Sequence, residues 1–159
     1  MNPRILVVDD EGNYLVILRE LLSRDGFAVD ALNEPLEALK LAAKRSFDVA
    51  LVDLRMGDLD GVEVMERLRR LDADLSVVIM TAFATVETAV DSLKRGAADY
   101  VMKPFDNQDL LRILRRAATL TRLSRENARL REAASVSVDV PDLIGASQQM
   151  EAVRRLVAQ

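Results

Sequence analysis

The chain has 159 residues, half of them hydrophobic and 30% charged, with a net charge of −4 and a pI near 5.0. That length holds one domain of ordinary size and an appendage. It contains neither histidine nor cysteine, which excludes a Ser-His-Asp or Cys-His device, a histidine-ligated zinc, a histidine phosphodonor within the chain and any disulfide framework. The acidic balance argues against nucleic acid as the main partner. No apolar run approaches the roughly 20 residues that cross a bilayer, and the opening MNPRILVV lacks a signal-peptide layout. The expected location is the cytoplasm.

In chain order, Arg4 to Val8 reads as a first strand, followed at once by Asp9, Asp10 and Glu11. Leu15, Leu18 and Leu22 then recur at helical spacing until Gly26. Phe27 to Ala31 is a second, more polar strand, expected at a sheet edge. Asn33 reads as a helix N-cap with Pro35 in the first turn and Leu36, Leu39 and Ala43 as the core stripe.

Val49 to Val52 is an unbroken apolar run ending in Asp53, the pattern of a strand buried on both faces. Val64, Leu68 and Leu71 mark the next helix, Val77 to Met80 a fourth strand ending at Thr81, and Val86, Ala89, Val90 and Leu93 a helix closed by Gly96. Tyr100 to Met102 is the fifth strand, ending at Lys103-Pro104, and a last helix starts near Asp106. Five βα repeats imply parallel strands with right-handed crossovers, an α/β doubly wound sheet. The first domain is expected to close near residue 118.

With strand order 2-1-3-4-5, the flavodoxin-like (βα)5 arrangement, the ends carrying Asp9, Asp10, Asp53, Thr81 and Lys103 are neighbours on the carboxyl edge, where ligands gather in open α/β sheets. Singly, each residue is as well explained as a helix cap or a solvated charge. Their convergence at consecutive strand ends is what points to a site.

Three carboxylates that close repel one another by roughly 3 to 4 kcal/mol per pair at an effective dielectric near 20, so they need a cation. Hard oxygen ligands suit Mg²⁺, held by Asp10, Asp53 and a backbone carbonyl just past Asp53. Asp53 is a credible nucleophile for phosphoryl transfer. Lys103 would face the phosphoryl group as a point charge and the Thr81 hydroxyl would reach one of its oxygens.

The segments VVDDE at 7 to 11, VDLRMGDLDG at 52 to 61, TA at 81 to 82 and DYVMKPF at 99 to 105 resemble the receiver domain of bacterial two-component response regulators. The resemblance implies transfer of a phosphoryl group from the phosphohistidine of a sensor histidine kinase to Asp53. It further implies Mg²⁺ at Asp9, Asp10, Asp53 and the Arg55 carbonyl, contact of Thr81 and Lys103 with the phosphoryl group, Tyr100 as the aromatic that switches with Thr81, and a cis Lys103-Pro104 bond. Where that family usually has proline after the loop methionine, this chain has Gly57. Glycine frees the backbone, so the loop beside Asp53 is expected to be more mobile.

From Arg112 to Glu132 there are seven arginines and two glutamates. A nucleic-acid patch is one reading, but no aromatic residue accompanies the arginines, and a solvated helix face accounts for them. Ile113, Leu120, Asn127 and Ala134 recur every seventh residue with Leu123 and Leu130 at d positions, the pattern of a parallel two-stranded coiled coil with Asn at a. The competing reading is a monomeric helix packed on its own domain. Residues 119–134 are thus expected to form a coiled-coil linker and homodimer contact, and residues 135–141 a linker.

Residues 142–159, DLIGASQQMEAVRRLVAQ, resemble the opening of the AAA+ ATPase domain of NtrC-type, sigma-54-dependent transcription activators. The resemblance implies a receiver and linker truncated at the start of that domain. No phosphate loop is present to support ATPase activity. The reading is therefore a regulatory phosphoacceptor rather than a turnover enzyme. An aspartate-nucleophile phosphatase or phosphotransferase is the alternative, but a haloacid-dehalogenase-like site would want an acid two residues after Asp53, where Arg55 stands. A degenerate receiver serving only dimerisation would not need the acidic pair, Thr81 and Lys103.

Overall fold

A computed structural model describes residues 2–57, 59–82 and 85–137; residues 138–141 of the expected linker at 135–141, and the AAA+-like segment at 142–159, lie outside the described residues. The elements are β1 (Arg4–Val8), α1 (Gly12–Arg24), β2 (Ala28–Leu32), α2 (Pro35–Lys44), β3 (Val49–Asp53), β4 (Arg55–Met56), β5 (Leu59–Asp60), α3 (Gly61–Leu71), β6 (Ser76–Thr81), α4 (Val86–Lys94), β7 (Asp99–Met102) and α5 (Asn107–Ser137).

The main sheet is parallel with order β2-β1-β3-β6-β7. Setting aside the two short hairpin strands β4 and β5, this is the expected order 2-1-3-4-5. All five residues of β3 are buried, as its unbroken apolar run predicts for a strand covered on both faces. Because successive side chains alternate across a strand, the sheet feeds two cores. Leu6, Val8, Ala50 and Val52 meet Val64, Met65 and Leu68 of α3 and Ala38 of α2. Ile5, Val7, Val49 and Leu51 meet Leu15, Leu18 and Leu22 of α1 and Leu110 and Leu114 of α5.

Three helix stripes differ from expectation. In α2 the fully buried residue is Ala38, while Leu36 and Ala43 are exposed and Leu39 is only partly buried. Its N-cap is Glu34 rather than Asn33, with no side-chain cap bond, and Pro35 opens the helix. In α3, Val64 and Leu68 are buried but Leu71 is exposed. In α4 the residue that faces inward is Ser92, whose hydroxyl donates to the Thr88 carbonyl, and Val86, Val90 and Leu93 are exposed. An apolar stripe reports helical period, and a small residue wins the inward face where the helix lies close to the sheet. Thr85 and Thr88 cap the start of α4 reciprocally.

The loop after β3 is a small antiparallel hairpin, with Arg55 opposite Asp60 and Met56 opposite Leu59. Gly57 has a φ of +52°, a left-handed value that proline cannot adopt, so the turn at this position calls for glycine. Lys103-Pro104 is cis.

One compact unit spans Met1–Leu123. Its last turns of α5 are anchored at the amino edge of the sheet, opposite the predicted site. Thr121 is fully buried, and its Oγ1 accepts the Ser76 backbone N–H at 3.1 Å and lies 2.8 Å from Ser76 Oγ. Arg122 Nε stands 3.8 Å from Asp48, which also accepts the Arg4 backbone N–H. The second unit is Ser124–Gln159, of which the described part is the distal portion of α5. Ile113 packs against its own domain's core beside Leu114, whereas Leu120, Leu123, Asn127 and Leu130 are exposed.

Gly61 opens α3 directly against the end of β3. Its N–H donates to the Leu54 carbonyl at 2.8 Å, and a Cβ there would overlap the Asp53 carbonyl oxygen and sit 2.8 Å from Leu54 Cα. Both obstacles are backbone, so Gly61→Ala is expected to lower stability by at least about 2 kcal/mol, read as a lower urea midpoint with unchanged slope; an unchanged midpoint would contradict the close approach.

Candidate functional site

The site is built by strand ends. β1 delivers Asp9, β3 delivers Asp53, β6 ends in Thr81, and Lys103 follows β7. Two backbone bonds hold these ends in register: the Leu54 N–H donates to the Met80 carbonyl at 2.8 Å, and the Lys103 N–H to the Thr81 carbonyl at 2.7 Å. Asp9 is further fixed because its N–H reaches the Leu32 carbonyl and its Oδ1 accepts the Glu11 N–H at 3.0 Å, closing the turn into α1.

Carboxylate oxygens of Asp9, Asp10 and Asp53 all lie within 4.8 Å of one another. Asp9 is fully buried, Asp53 nearly so, and Asp10 is exposed. Lys103 Nζ donates to Asp9 Oδ2 at 2.8 Å and stands 3.7 Å from Asp53 Oδ2. One ammonium thus faces three carboxylates. Burial pushes the Asp53 carboxyl up to about 6, the Asp9 charge adds to this, and Lys103 and the Arg55 backbone N–H only partly offset it. For Lys103 burial works downward, yet the hydrogen bond it donates to Asp9 and the charges of Asp53 and Asp9 outweigh it and raise its pKa.

Excess negative charge, hard oxygen donors and an exposed member at Asp10 are what a small divalent cation requires. The residues therefore fit such an ion. Asp10 also lines an open cleft of about 870 Å³ between the β4–β5 hairpin and α4, shared with Arg55, Gly57, Asp60, Glu87 and Asp91.

Thr81 is buried at the end of β6, paired with Met102 across the sheet. Tyr100 pairs with Ile79, and its half-buried ring packs against the core on the α3 face. Its hydroxyl is buried without a hydrogen-bond partner among the described residues, an arrangement that costs about 1 to 3 kcal/mol. The proposed coil residues Leu120, Leu123, Asn127 and Leu130 lie farther along α5 and take no part in this site.

One neighbour escaped the sequence reading. The Tyr14 ring, on the first turn of α1, lies under Lys103 Nζ at 4.2 Å from its centroid and meets Phe105 edge-on at 6.0 Å and 72°. Its signal was available, four residues after Asp10 at a site-facing helix start, but an aromatic at helical spacing reads first as core.

A carboxylate whose folded pKa is raised binds its proton more tightly in the folded state than in the unfolded one. Stability therefore falls as pH rises from about 4 to 6 in the metal-free protein. Asp53→Asn is expected to stabilise the metal-free protein at pH 7.5 by about 1 to 3 kcal/mol, a gain that vanishes toward pH 4. Thermal melts across this range test it, and a variant less stable than wild type at pH 7.5 would contradict it.

With the geometry described, comparison with known proteins is specific. Residues 5–115 match the response regulator receiver domain. The regulatory protein AtoC of Escherichia coli K12 is 41% identical over 134 residues, covering 84% of this chain and 29% of AtoC. The crystal structure of a CheY-like receiver domain protein from Methanospirillum hungatei superposes with a TM-score of 0.73 at 29% identity, over 78% of this chain and 99% of that one. NtrX from Brucella abortus superposes with a TM-score of 0.76 at 30% identity, over 82% of this chain and 30% of NtrX. The chain spans less than a third of the length of AtoC. By the match over residues 5–115 and a sheet that places its acidic cluster at the carboxyl edge, the chain belongs to the response regulator receiver domain family, with relatives of the NtrC type.

Proposed function

We propose that Asp53 is the phosphoacceptor of this receiver, taking its phosphoryl group from the phosphohistidine of a sensor histidine kinase. The observation that carries this reading is the three-carboxylate cluster with Lys103 Nζ 3.7 Å from the Asp53 carboxylate. An Asp53 oxygen attacks phosphorus, the donor's N–P bond breaks, and the imidazole leaves with the bonding electron pair. Mg²⁺ held by Asp9, Asp10, Asp53 and the Arg55 carbonyl would neutralise charge on the transferring phosphoryl oxygens.

Asp9 holds Lys103 in reach of Asp53, and in the product Lys103 exchanges a carboxylate partner for a phosphoryl oxygen. Thr81 supplies a hydroxyl to another oxygen. Tyr100 is the switch partner: its buried hydroxyl, without a partner among the described residues, gains one if the ring moves when Thr81 moves. Because the relatives' acceptor domains work as regulators, the adduct is a signal rather than a turnover intermediate, and the phosphatase alternative finds no support in the relatives.

The attached parts follow the same reading. Residues 1–118 form the receiver, 119–134 the coiled-coil linker, 135–141 a linker and 142–159 the start of an AAA+ domain of a sigma-54-dependent activator. The exposed Leu120, Leu123 and Leu130, with Asn127 between them, form the homodimer seam; Ile113 is engaged in its own domain. Phosphorylation shifts the dimer arrangement and thereby controls the ATPase and transcription. No described helix is long and apolar enough to cross a membrane, and cytoplasmic action is part of the proposal, as is the absence of direct nucleic-acid contact by this segment.

Intact mass after incubation with Mg²⁺ and phosphoramidate is expected to show one added phosphoryl group on wild type and none on Asp53→Ala or in excess EDTA. An adduct on Asp53→Ala would overturn the assignment. Light scattering is expected to give a dimer that Leu123→Asp converts to a monomer; a wild-type monomer with and without beryllium fluoride would end the coil proposal.

A further inference from the structure

The Lys103 ammonium is enclosed on three sides. Asp9 takes a hydrogen bond at 2.8 Å, Asp53 stands at 3.7 Å, and the face of Tyr14 lies at 4.2 Å from Nζ to ring centroid. Phe105, two residues beyond Lys103, braces the same ring edge-to-face. Lys103 and Tyr14 therefore approach each other from β7 and α1, which the sheet places on one edge.

These three contacts are not equivalent. The Asp9 and Asp53 oxygens belong to the cluster that a divalent cation would claim, and Asp53 is the atom donor to phosphorus. Both carboxylates thus divide their charge between Lys103 and the incoming groups. The π face of Tyr14 carries no such competition: a metal ion with hard oxygen preferences ignores it, whereas an ammonium largely withdrawn from water is attracted to it. Lys103 is only 12% exposed, so the contact is a shielded one.

We propose that Tyr14 is a positioning residue for phosphoryl transfer, its ring holding the Lys103 ammonium beside Asp53 while the carboxylates are engaged by the cation and the phosphoryl group. This rests on the assignment of Asp53 as phosphoacceptor. The ring face supplies the effect and the hydroxyl is dispensable. Leucine at position 14 would keep the apolar packing against the α1 and α5 core but would leave the ammonium unsupported on that side.

The test is the single-turnover rate of Asp53 phosphorylation by phosphoramidate at saturating Mg²⁺ for wild type, Tyr14→Phe and Tyr14→Leu. Tyr14→Phe is expected to stay within about twofold of wild type and Tyr14→Leu to fall about tenfold, the size of a shielded cation–π contact. A series of fluorinated phenylalanines at position 14, near-constant in shape, should slow the reaction stepwise as the ring face loses negative charge. A flat series, a Tyr14→Leu rate equal to wild type, or a Tyr14→Phe rate as low as that of Tyr14→Leu would overturn the proposal.

A second arm reads the contact without the reaction. The chain has two tyrosines and no tryptophan, so in a Tyr100→Phe background the tyrosine band of the near-ultraviolet spectrum, which lies to longer wavelength than the phenylalanine bands, reports Tyr14 alone. Lys103→Met is expected to shift that spectrum, and no shift would contradict the contact. If wild type takes no phosphoryl group at Asp53, the phosphoacceptor assignment fails and the positioning role fails with it, while the spectral arm still distinguishes that outcome from an absent contact.

Discussion

The structure depends on the confinement of more negative charge than its own cation can balance. Asp9 and Asp53 are buried at the carboxyl edge with Asp10 beside them, and Lys103 is the ammonium that faces them. With oxygens within 4.8 Å of one another, each carboxylate pair costs about 3 kcal/mol or more at an effective dielectric near 20. Burial and Asp9 accordingly push Asp53 well above the usual carboxylate range. Such a cluster is unfavourable for folding and favourable for a function that brings positive charge in. The same excess charge is what a divalent ion would neutralise, and it underlies the phosphoacceptor role proposed for Asp53.

The rest of the fold can be understood as what holds that cluster in place. Five parallel strands with two apolar cores fix the edge, and backbone bonds from Leu54 to Met80 and from Lys103 to Thr81 lock neighbouring strand ends together. Gly61 lets α3 begin in contact with the backbone of Asp53 and Leu54, which packs the start of that helix against the strand end carrying Asp53. At the opposite edge, Thr121 and Ser76 tie α5 to the start of β6. β6 thus runs from that anchor to Thr81, giving a strand that touches both the site and the helix carrying the coil pattern. α4 is attached more thinly: Ser92 is its buried residue and three of its apolar side chains are exposed.

Legibility in the sequence followed how many independent constraints each residue obeys. Val49 to Asp53 was readable because a run buried on both faces permits no polar residue until the strand ends, and an aspartate there stands out. The strand order followed from repeated βα units, and the cluster followed from the order. The β4–β5 hairpin was hidden, since two-residue strands carry no period, and the positive φ at Gly57 was hidden with it, since only the fold shows that the turn needs it. The stripes through Leu36, Leu71 and Val90 misled because helical period says nothing about which side faces the sheet; Ala38 and Ser92 hold those inward positions. Thr121 was invisible, and Tyr14 easily taken for core, for another reason. Each matters through a partner distant in the chain, Ser76 and Lys103, and no local pattern records that pairing.

The claim at the centre is that buried, uncompensated charge makes Asp53 both unusual and receptive to a cation. The direct measurement is a carbon-13 NMR titration of the Asp53 side-chain carboxyl, first without divalent ions and then with saturating Mg²⁺. The account predicts an apparent pKa of about 6 in the metal-free protein and a marked fall when Mg²⁺ is added. An ordinary carboxylate value that Mg²⁺ leaves unchanged would contradict it.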